Sequence, residues 1–265
     1  RDAGFIQLYC ENNQEAYDNT IMAVKIAERA NIPVMVCYDG FITSHSVENI
    51  MLIETEDVKK FVGERKPLQY LLDDERNISM GPMDLQKYYF EHRKQLADAM
   101  RGAKDIIKEI SEEFYQLTGR KYDLFENYMM DDAELGIVIL NSTAGTAKDA
   151  VDELRKNGVK AGLLKPRAFR PLPYNEIPEQ LKKLKALAIL DKCDSVNGYA
   201  APLFTELTSA MYSKGLTVPT VNYIYGLGGV DVKVDDILEV YKKLNEISKN
   251  GNVDGKTTYY LGMEN

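Results

Sequence analysis

Apolar and polar positions fall into blocks along this chain, and the blocks change character twice. Residues 5–9 form a short, mostly apolar run of strand length. Asn12 or Asn13 can then cap a helix, with Glu15 in its first turn. Ala16, Ile21, Ala23, Val24 and Ala27 recur at roughly helical spacing up to Asn31. Residues 33–37 are a second compact apolar run, of the kind buried in parallel sheets. Strand, helix and strand in this order predict a βαβ unit. A short helix over Thr55–Val62 follows, then a polar connection over residues 64–82 with Pro67, Gly81 and Pro82. Leu96, Met100, Ala103, Ile107, Ile110, Phe114 and Leu117 next alternate spacings of four and three. That is a heptad seam about three repeats long, stopping at Gly119. Such a seam packs either on another subunit or on the chain's own domain.

Beyond residue 130 the alternation becomes regular. Strand-like runs at 135–140, 159–164, 187–190 and 218–224 are interleaved with helical patterns at 146–156, 179–185, 202–212 and 235–248. Residues 257–261 read as an edge strand. This strict alternation predicts an α/β fold with a doubly wound parallel sheet. The chain divides on this reading into residues 1–130 and 131–265.

Composition narrows the possibilities. A chain of 265 residues and 30.0 kDa makes one large or two ordinary domains, and 45% hydrophobic residues are enough for a sizeable core. The net charge of −8 argues against nucleic acid as a partner, because an acidic chain gains nothing from phosphate counterion release. No apolar run approaches the roughly 18 residues of a membrane helix, and no signal peptide opens the chain. Cys10, Cys37 and Cys193 are far apart and form neither a disulfide framework nor a CxxC ligand pair. A cytoplasmic, reducing compartment is expected.

The candidate chemistry lies on loops after predicted strands. Asp39, Gly40, Ser44 and His45 follow the second strand. Gly40 permits a tight loop that a side chain would obstruct. His45 has the pKa range for proton work, or it and Asp39 only stabilise the loop or touch a neighbouring subunit. Asn12, Asn13 and Gln14 either face an active site or cap a helix. Cys10 and Cys37 read as small core residues. The turn from Ser142 to Thr146 is either structural or an anion cradle at a helix N-terminus, without a dinucleotide or P-loop fingerprint. Gly226, Gly228 and Gly229 read as a strand-to-helix turn. Arg167 and Arg170 meet an acidic partner surface, or Arg170 sits in an interdomain ion pair.

Several ordered motifs carry a family resemblance. Arg1-Asp-Ala-Gly-Phe-Ile-Gln7, Glu11-Asn-Asn-Gln-Glu-Ala-Tyr-Asp18 and Pro33-Val-Met-Val-Cys-Tyr-Asp-Gly-Phe-Ile-Thr-Ser-His45 resemble the thiamine-diphosphate-dependent 2-oxoacid:ferredoxin oxidoreductases, specifically their alpha subunit. Glu113-Phe-Tyr-Gln-Leu-Thr-Gly-Arg120 is similar to the family's interdomain connection. Asp132-Ala-Glu134, Leu163-Leu-Lys165, Phe169-Arg-Pro171, Leu190-Asp191 and Tyr225-Gly-Leu-Gly-Gly-Val-Asp231 are similar to its second domain. Residues 192–199 depart from the glycine-rich turn of relatives.

The resemblance implies that residues 1–130 are the later part of a pyrimidine-binding domain plus a helical connection. Residues 131–265 would be a transketolase C-terminal-like domain. It implies oxidative decarboxylation of a 2-oxoacid, pyruvate first among pyruvate, 2-oxoglutarate, branched 2-oxoacids and oxalate. The acyl group would pass to coenzyme A and electrons to ferredoxin. Thiamine diphosphate would be shared with a partner subunit, with Asp39, Gly40, Ser44, His45 and Asn13 on this chain's side. Magnesium and iron–sulfur clusters would lie on beta-, gamma- and delta-type subunits, with no metal site here. The glutamate and arginine expected to serve the cofactor and substrate would lie upstream of Arg1, leaving the chain inactive alone. A non-catalytic subunit-interaction module and a transketolase-like carboligase component are the rival readings.

Overall fold

A computed structural model describes residues 1–67, 69–81, 83–253 and 255–263. Leu68 and Pro82 of the predicted 64–82 connection lie outside the described residues. The chain forms two sheets. The first has the order β2-β1-β6, with β1 (Ile6–Tyr9) parallel to β2 (Val34–Cys37). Helix α1 (Asn13–Ala30) makes the crossover. Asn12 caps it by accepting a bond from the Glu15 amide, and Asn31 ends it at φ 55°. β2 departs from the buried strand that its composition predicts. It lies at the sheet edge, Met35 is 41% exposed, and Cys37 is only half-buried, whereas Cys10 is fully buried.

Helix α2 (Thr55–Val62) matches its predicted bounds, and α3 (Gln86–Thr118) begins ten residues before the seam. The first turns of α3 are exposed on every side, so no periodic apolar signal marks them. Its seam does not wait for another chain. Ala103, Ile107, Ile110 and Phe114 are fully buried against Met22 and Ile26 of α1, Phe61 of α2, and Ile6 and Leu8 of β1.

The second sheet has the order β3-β5-β4-β7-β8-β9. β4 (Leu135–Ile139), β5 (Ala161–Pro166), β7 (Ala186–Asp191), β8 (Thr220–Ile224) and β9 (Thr258–Tyr260) run parallel. β3 (Phe125–Tyr128) joins antiparallel at one edge. Helices α4 (Thr143–Lys156) and α7 (Val234–Asn250) cover one face, and α5 (Glu176–Leu181) and α6 (Pro202–Ser213) the other. The fold is therefore α/β and doubly wound. Helix α5 starts three residues earlier than predicted, because Pro178 sits within its first turn, where a missing N–H costs nothing.

Two strands cross the division at residue 130. β3 lies before it yet pairs with β5, and β6 (Ala168–Arg170) lies beyond it yet pairs antiparallel with β1, Gln7 opposite Arg170. Neither strand is evident from the sequence. In the second sheet, the chain leaves β4 for β5 on one side and later returns to β7 on the other. The carboxyl ends of β4 and β7 thus flank a switch point, where open α/β sheets form their crevice.

Candidate functional site

The crevice is built from the loops after β1, β2, β4, β7 and β8. After β2 the chain turns tightly: the Thr43 and Ser44 amides both donate to the Asp39 carbonyl at 3.2 Å, and the His45 amide donates to the Phe41 carbonyl at 3.2 Å. The residue that needs the left-handed region is Phe41 (φ 65°), not Gly40. A Cβ built at Gly40 meets nothing within 4 Å, which corrects the steric role expected of it. Ser44 steadies the turn by accepting the Phe41 amide at 2.9 Å, and its hydroxyl lies 2.7 Å from His45 Nδ1. The His45 ring stacks on Phe41 at 4.8 Å, and both rings are exposed to solvent.

Asp39 behaves differently from its neighbours. Its side chain is buried and reaches across to the second sheet. Oδ2 accepts the Ser142 amide at 3.0 Å and the Ser142 hydroxyl, and Oδ1 accepts Lys192 Nζ at 3.0 Å. A carboxylate at the amino end of α4 is favoured by the helix dipole and by the free N–H groups there. The Ser142–Thr146 turn therefore already holds an anion, and that anion is this chain's own Asp39.

Asn13 faces the surface loop that follows His45. Its amide donates to Glu48 Oε2 at 3.1 Å and its side chain to Ser46 Oγ at 3.0 Å. Gln14 continues this pinning, accepting the Met51 amide at 2.6 Å and donating to the Met51 carbonyl at 3.3 Å.

Beside Asp39 a cleft of about 330 Å³ opens between the lobes. Gln7 and Tyr9 line it from β1, Asn141 follows β4, Asp191 and Lys192 end β7, and Tyr225 follows β8. Asp191 is buried and accepts the amides of Leu203 (2.8 Å) and Phe204 (3.2 Å) at the start of α6, and Asn222 Nδ2 at 3.0 Å. Burial nonetheless pushes its carboxyl up to about 6, the three hydrogen bonds offsetting only part of that effect.

A second charged cluster joins the lobes. Lys165, 3% exposed on β5, sends Nζ to Glu11 (2.5 Å), Glu15 (2.6 Å) and Glu126 (2.7 Å), while Lys148 reaches Glu11 and Glu126 at 2.8 Å. Burial works against the Lys165 charge, yet Glu15, Glu11 and Glu126 hold its pKa above the ordinary lysine value. Burial likewise opposes the Glu126 charge, but Lys165 and Lys148 hold its carboxyl below the usual range. The three carboxylates lie close enough to ligate a cation, and the Lys165 ammonium meets all three.

Arg167 departs from the partner-facing reading, and Arg170 follows its ion-pair reading. Arg167 is 3% exposed and donates to Asn19, Ser111 and the Asp123 carbonyl, so it meets no partner surface. Arg170 does form the interlobe pair, with Glu206 at 2.7 Å and with Asp2 at 3.7 Å. Gly226, Gly228 and Gly229 all have positive φ in the turn around a short 3₁₀ segment, as a strand-to-helix turn of glycines requires.

Residues 1–112 match the pyruvate flavodoxin/ferredoxin oxidoreductase thiamine-diphosphate-binding model, and residues 133–237 match pyruvate:ferredoxin oxidoreductase core domain II. The chain belongs to the 2-oxoacid:ferredoxin oxidoreductase family, as an alpha-subunit chain. It is 46% identical to pyruvate synthase subunit PorA of Thermotoga maritima, over 99% of this chain and 66% of that protein. It is 40% identical to the PorA subunit of Methanocaldococcus jannaschii, over 100% of this chain and 66% of that one. Ketoisovalerate oxidoreductase subunit VorA of Pyrococcus abyssi is also 40% identical, over 98% and 66%. The chain thus spans about two thirds of the length of these relatives. Among solved structures, a 2-oxoglutarate:ferredoxin oxidoreductase from Magnetococcus marinus superposes with a TM-score of 0.59 over 90% of this chain and 42% of that one, at 14% identity, a likeness of fold.

Several residues that build the interlobe contacts lie outside the predicted site. Lys192 falls in the stretch that departs from relatives, and Gln7 reads as an ordinary strand residue. Lys165 carried a usable signal: a lone lysine inside an apolar strand run must be paired when buried.

Proposed function

We propose that this chain is the alpha-subunit part of a thiamine-diphosphate-dependent oxidoreductase that oxidatively decarboxylates a 2-oxoacid, with pyruvate as substrate. The acyl group passes to coenzyme A and the electrons to ferredoxin. The observation that carries this is the pair of family matches in the same order as the two lobes, together with 46% identity to a pyruvate synthase subunit. VorA relatives at 40% keep a branched 2-oxoacid as the competing substrate.

The fit of the cofactor to the nominated residues is uneven. Gly40, Ser44 and His45 stay at the surface, where the stacked Phe41–His45 pair offers a flat face to a ring. Asp39 and Asn13 are engaged within the chain, so we assign them to positioning this loop. When bound, thiamine diphosphate supplies the electron sink for decarboxylation. His45 would then meet the cofactor or the partner subunit across the loop. Phe41, stacked on His45 and 78% exposed, supports a partner covering this face.

We place magnesium and the iron–sulfur clusters on beta-, gamma- and delta-type partner subunits. The three unpaired cysteines of this chain are too dispersed for a four-cysteine cluster and fit a reducing cytoplasm. No described helix is long and apolar enough to cross a membrane. We also retain the division into residues 1–130 and 131–265 as functional units. The test is a pyruvate-dependent viologen-reduction assay with coenzyme A, on the chain alone and in its copurified complex. Activity is expected only in the complex and only with thiamine diphosphate. Reduction that persists without thiamine diphosphate would refute the proposal, and faster turnover of 2-oxoisovalerate than pyruvate would reassign the substrate.

A further inference from the structure

Lys192 leaves a rigid support. It follows the last residue of β7, Asp191, whose carboxylate is held by two α6 amides and by Asn222. Its stem then runs past Gly226. A Cβ built at that glycine would lie 3.1 Å from Lys192 Cε, tighter than carbons ordinarily pack. Gly226 therefore keeps the lysine's path open, besides meeting the demand of its φ of 63°. At the end of the path Nζ meets Asp39 Oδ1 at 3.0 Å, where the aspartate side chain is only 6% exposed. Among the described residues Asp39 is the only acceptor that Lys192 meets.

A cavity lies on each side of this lysine. One is the interlobe cleft, which Asp39 also lines, and the other is a space of about 340 Å³ at the start of α4, which Ile42 also lines. The loop from Asp39 to His45 thus has open space next to the ion pair and room to shift. A buried carboxylate without its cation is drawn towards water. The shift would not stop at Asp39. Its carbonyl accepts the Thr43 and Ser44 amides at 3.2 Å, Ser44 accepts the Phe41 amide at 2.9 Å, and the Ser44 hydroxyl lies 2.7 Å from His45 Nδ1. A short chain of bonds therefore runs from Nζ to the exposed Phe41–His45 stack.

We infer that Lys192 is a positioning residue, which sets the Phe41–His45 face for thiamine diphosphate by holding Asp39 from the other lobe. This rests on the proposed reading of that loop as the cofactor's side of the site. Lys192 acts through Asp39 and touches no reacting atom.

Histidine-labelled NMR of the full chain tests the link, because the chain has two histidines, His45 and His92. His92 sits on α3, paired with Asp84 at 2.7 Å, and serves as the internal control. Lys192→Met keeps the stem and removes the charge. It should displace the His45 ring resonances by more than their linewidth and leave those of His92 in place. Asp39→Asn keeps an acceptor for Ser142 and loses the charge that holds Lys192. It should displace His45 in the same way, and it serves if the first variant does not fold. The double variant should add no further displacement, as expected when one residue acts through the other. In the copurified complex, Lys192→Met should raise the thiamine diphosphate concentration for half-maximal viologen reduction at least about tenfold. An unmoved His45 in both single variants overturns the inference. So does equal displacement of both histidines, which marks a general loosening of the fold. Displacement of His45 with unchanged half-saturation overturns instead the reading of the loop as cofactor-facing, and with it the role of Lys192 in the reaction.

Discussion

Asp39 and His45 lie six residues apart on one loop, yet they do opposite kinds of work. Asp39 bonds a helix amino end and an ammonium in the other lobe, so Asp39→Ala leaves both the α4 terminus and Lys192 unpaired. About 3 kcal/mol of stability should be lost in urea denaturation, and a loss under about 1 kcal/mol would contradict the tether. His45→Ala removes an exposed ring and should change stability by less than about 0.5 kcal/mol. Any effect it has on activity of the complex then reports on cofactor or partner contact. Asp191 adds a pH test. Its folded-state pKa of about 6 lies above the ordinary 3.8, so folding takes up a proton between those values. For this group stability rises as pH falls through about 6, the reverse of a carboxylate held in an ion pair. Between about pH 7 and 5 the wild type should gain about 1 kcal/mol relative to Asp191→Asn, and a flat difference would exclude the shift.

At the scale of elements, the α3 seam and the Lys165 cluster are both interlocked but differ in legibility. The seam was readable because burial on one helix face imposes a period on the sequence. Ile107→Ala should cost about 3 kcal/mol, while Leu117→Ala, at the exposed end of the same seam, should cost under about 1 kcal/mol. Equal losses would show that the helix does not pack as described. The crossover β1-α1-β2 and the alternation beyond residue 130 were legible for the same reason of period and length. β3 and β6 were not, because a strand of three or four residues owes its existence to its neighbour rather than to its own pattern. The exposed start of α3 left no trace for want of a buried face. The site was half legible: loops after strands were identified, but the Asp39–Ser142 bond joins residues 103 apart and no local pattern encodes it. Lys165→Met should be strongly destabilising, by about 3 kcal/mol or more, since Glu11, Glu15 and Glu126 would be left facing one another. Acidification towards about pH 5 should restore part of that loss as the carboxylates protonate, which pH-dependent denaturation can follow.

The contacts that cross residue 130 decide how the whole molecule unfolds. β6 completes the first sheet with three residues that follow β5, and β3 extends the second sheet with four residues that follow α3. Leu124 accepts the amides of both Arg167 and Ala168, so the connection itself is stitched to the second lobe. Lys165, 3% exposed on β5, and Lys192 after β7 carry the charged contacts across, to Glu11 and Glu15 and to Asp39. Separating the lobes would strip the first sheet of an edge strand and leave buried charges from both sides unpaired. Each such charge costs several kcal/mol, a large share of the 5–15 kcal/mol that stabilises an ordinary domain. The lobes should therefore melt together. Calorimetry of the chain should give a single transition whose van't Hoff and calorimetric enthalpies agree. Asp39→Ala with Lys165→Met should broaden or split it, because these changes remove interlobe bonds while leaving each lobe's apolar core intact. Two resolved transitions in the unmodified chain would mean that the exchanged strands do not couple the lobes, and that the interlobe cleft is a hinge rather than a fixed wall.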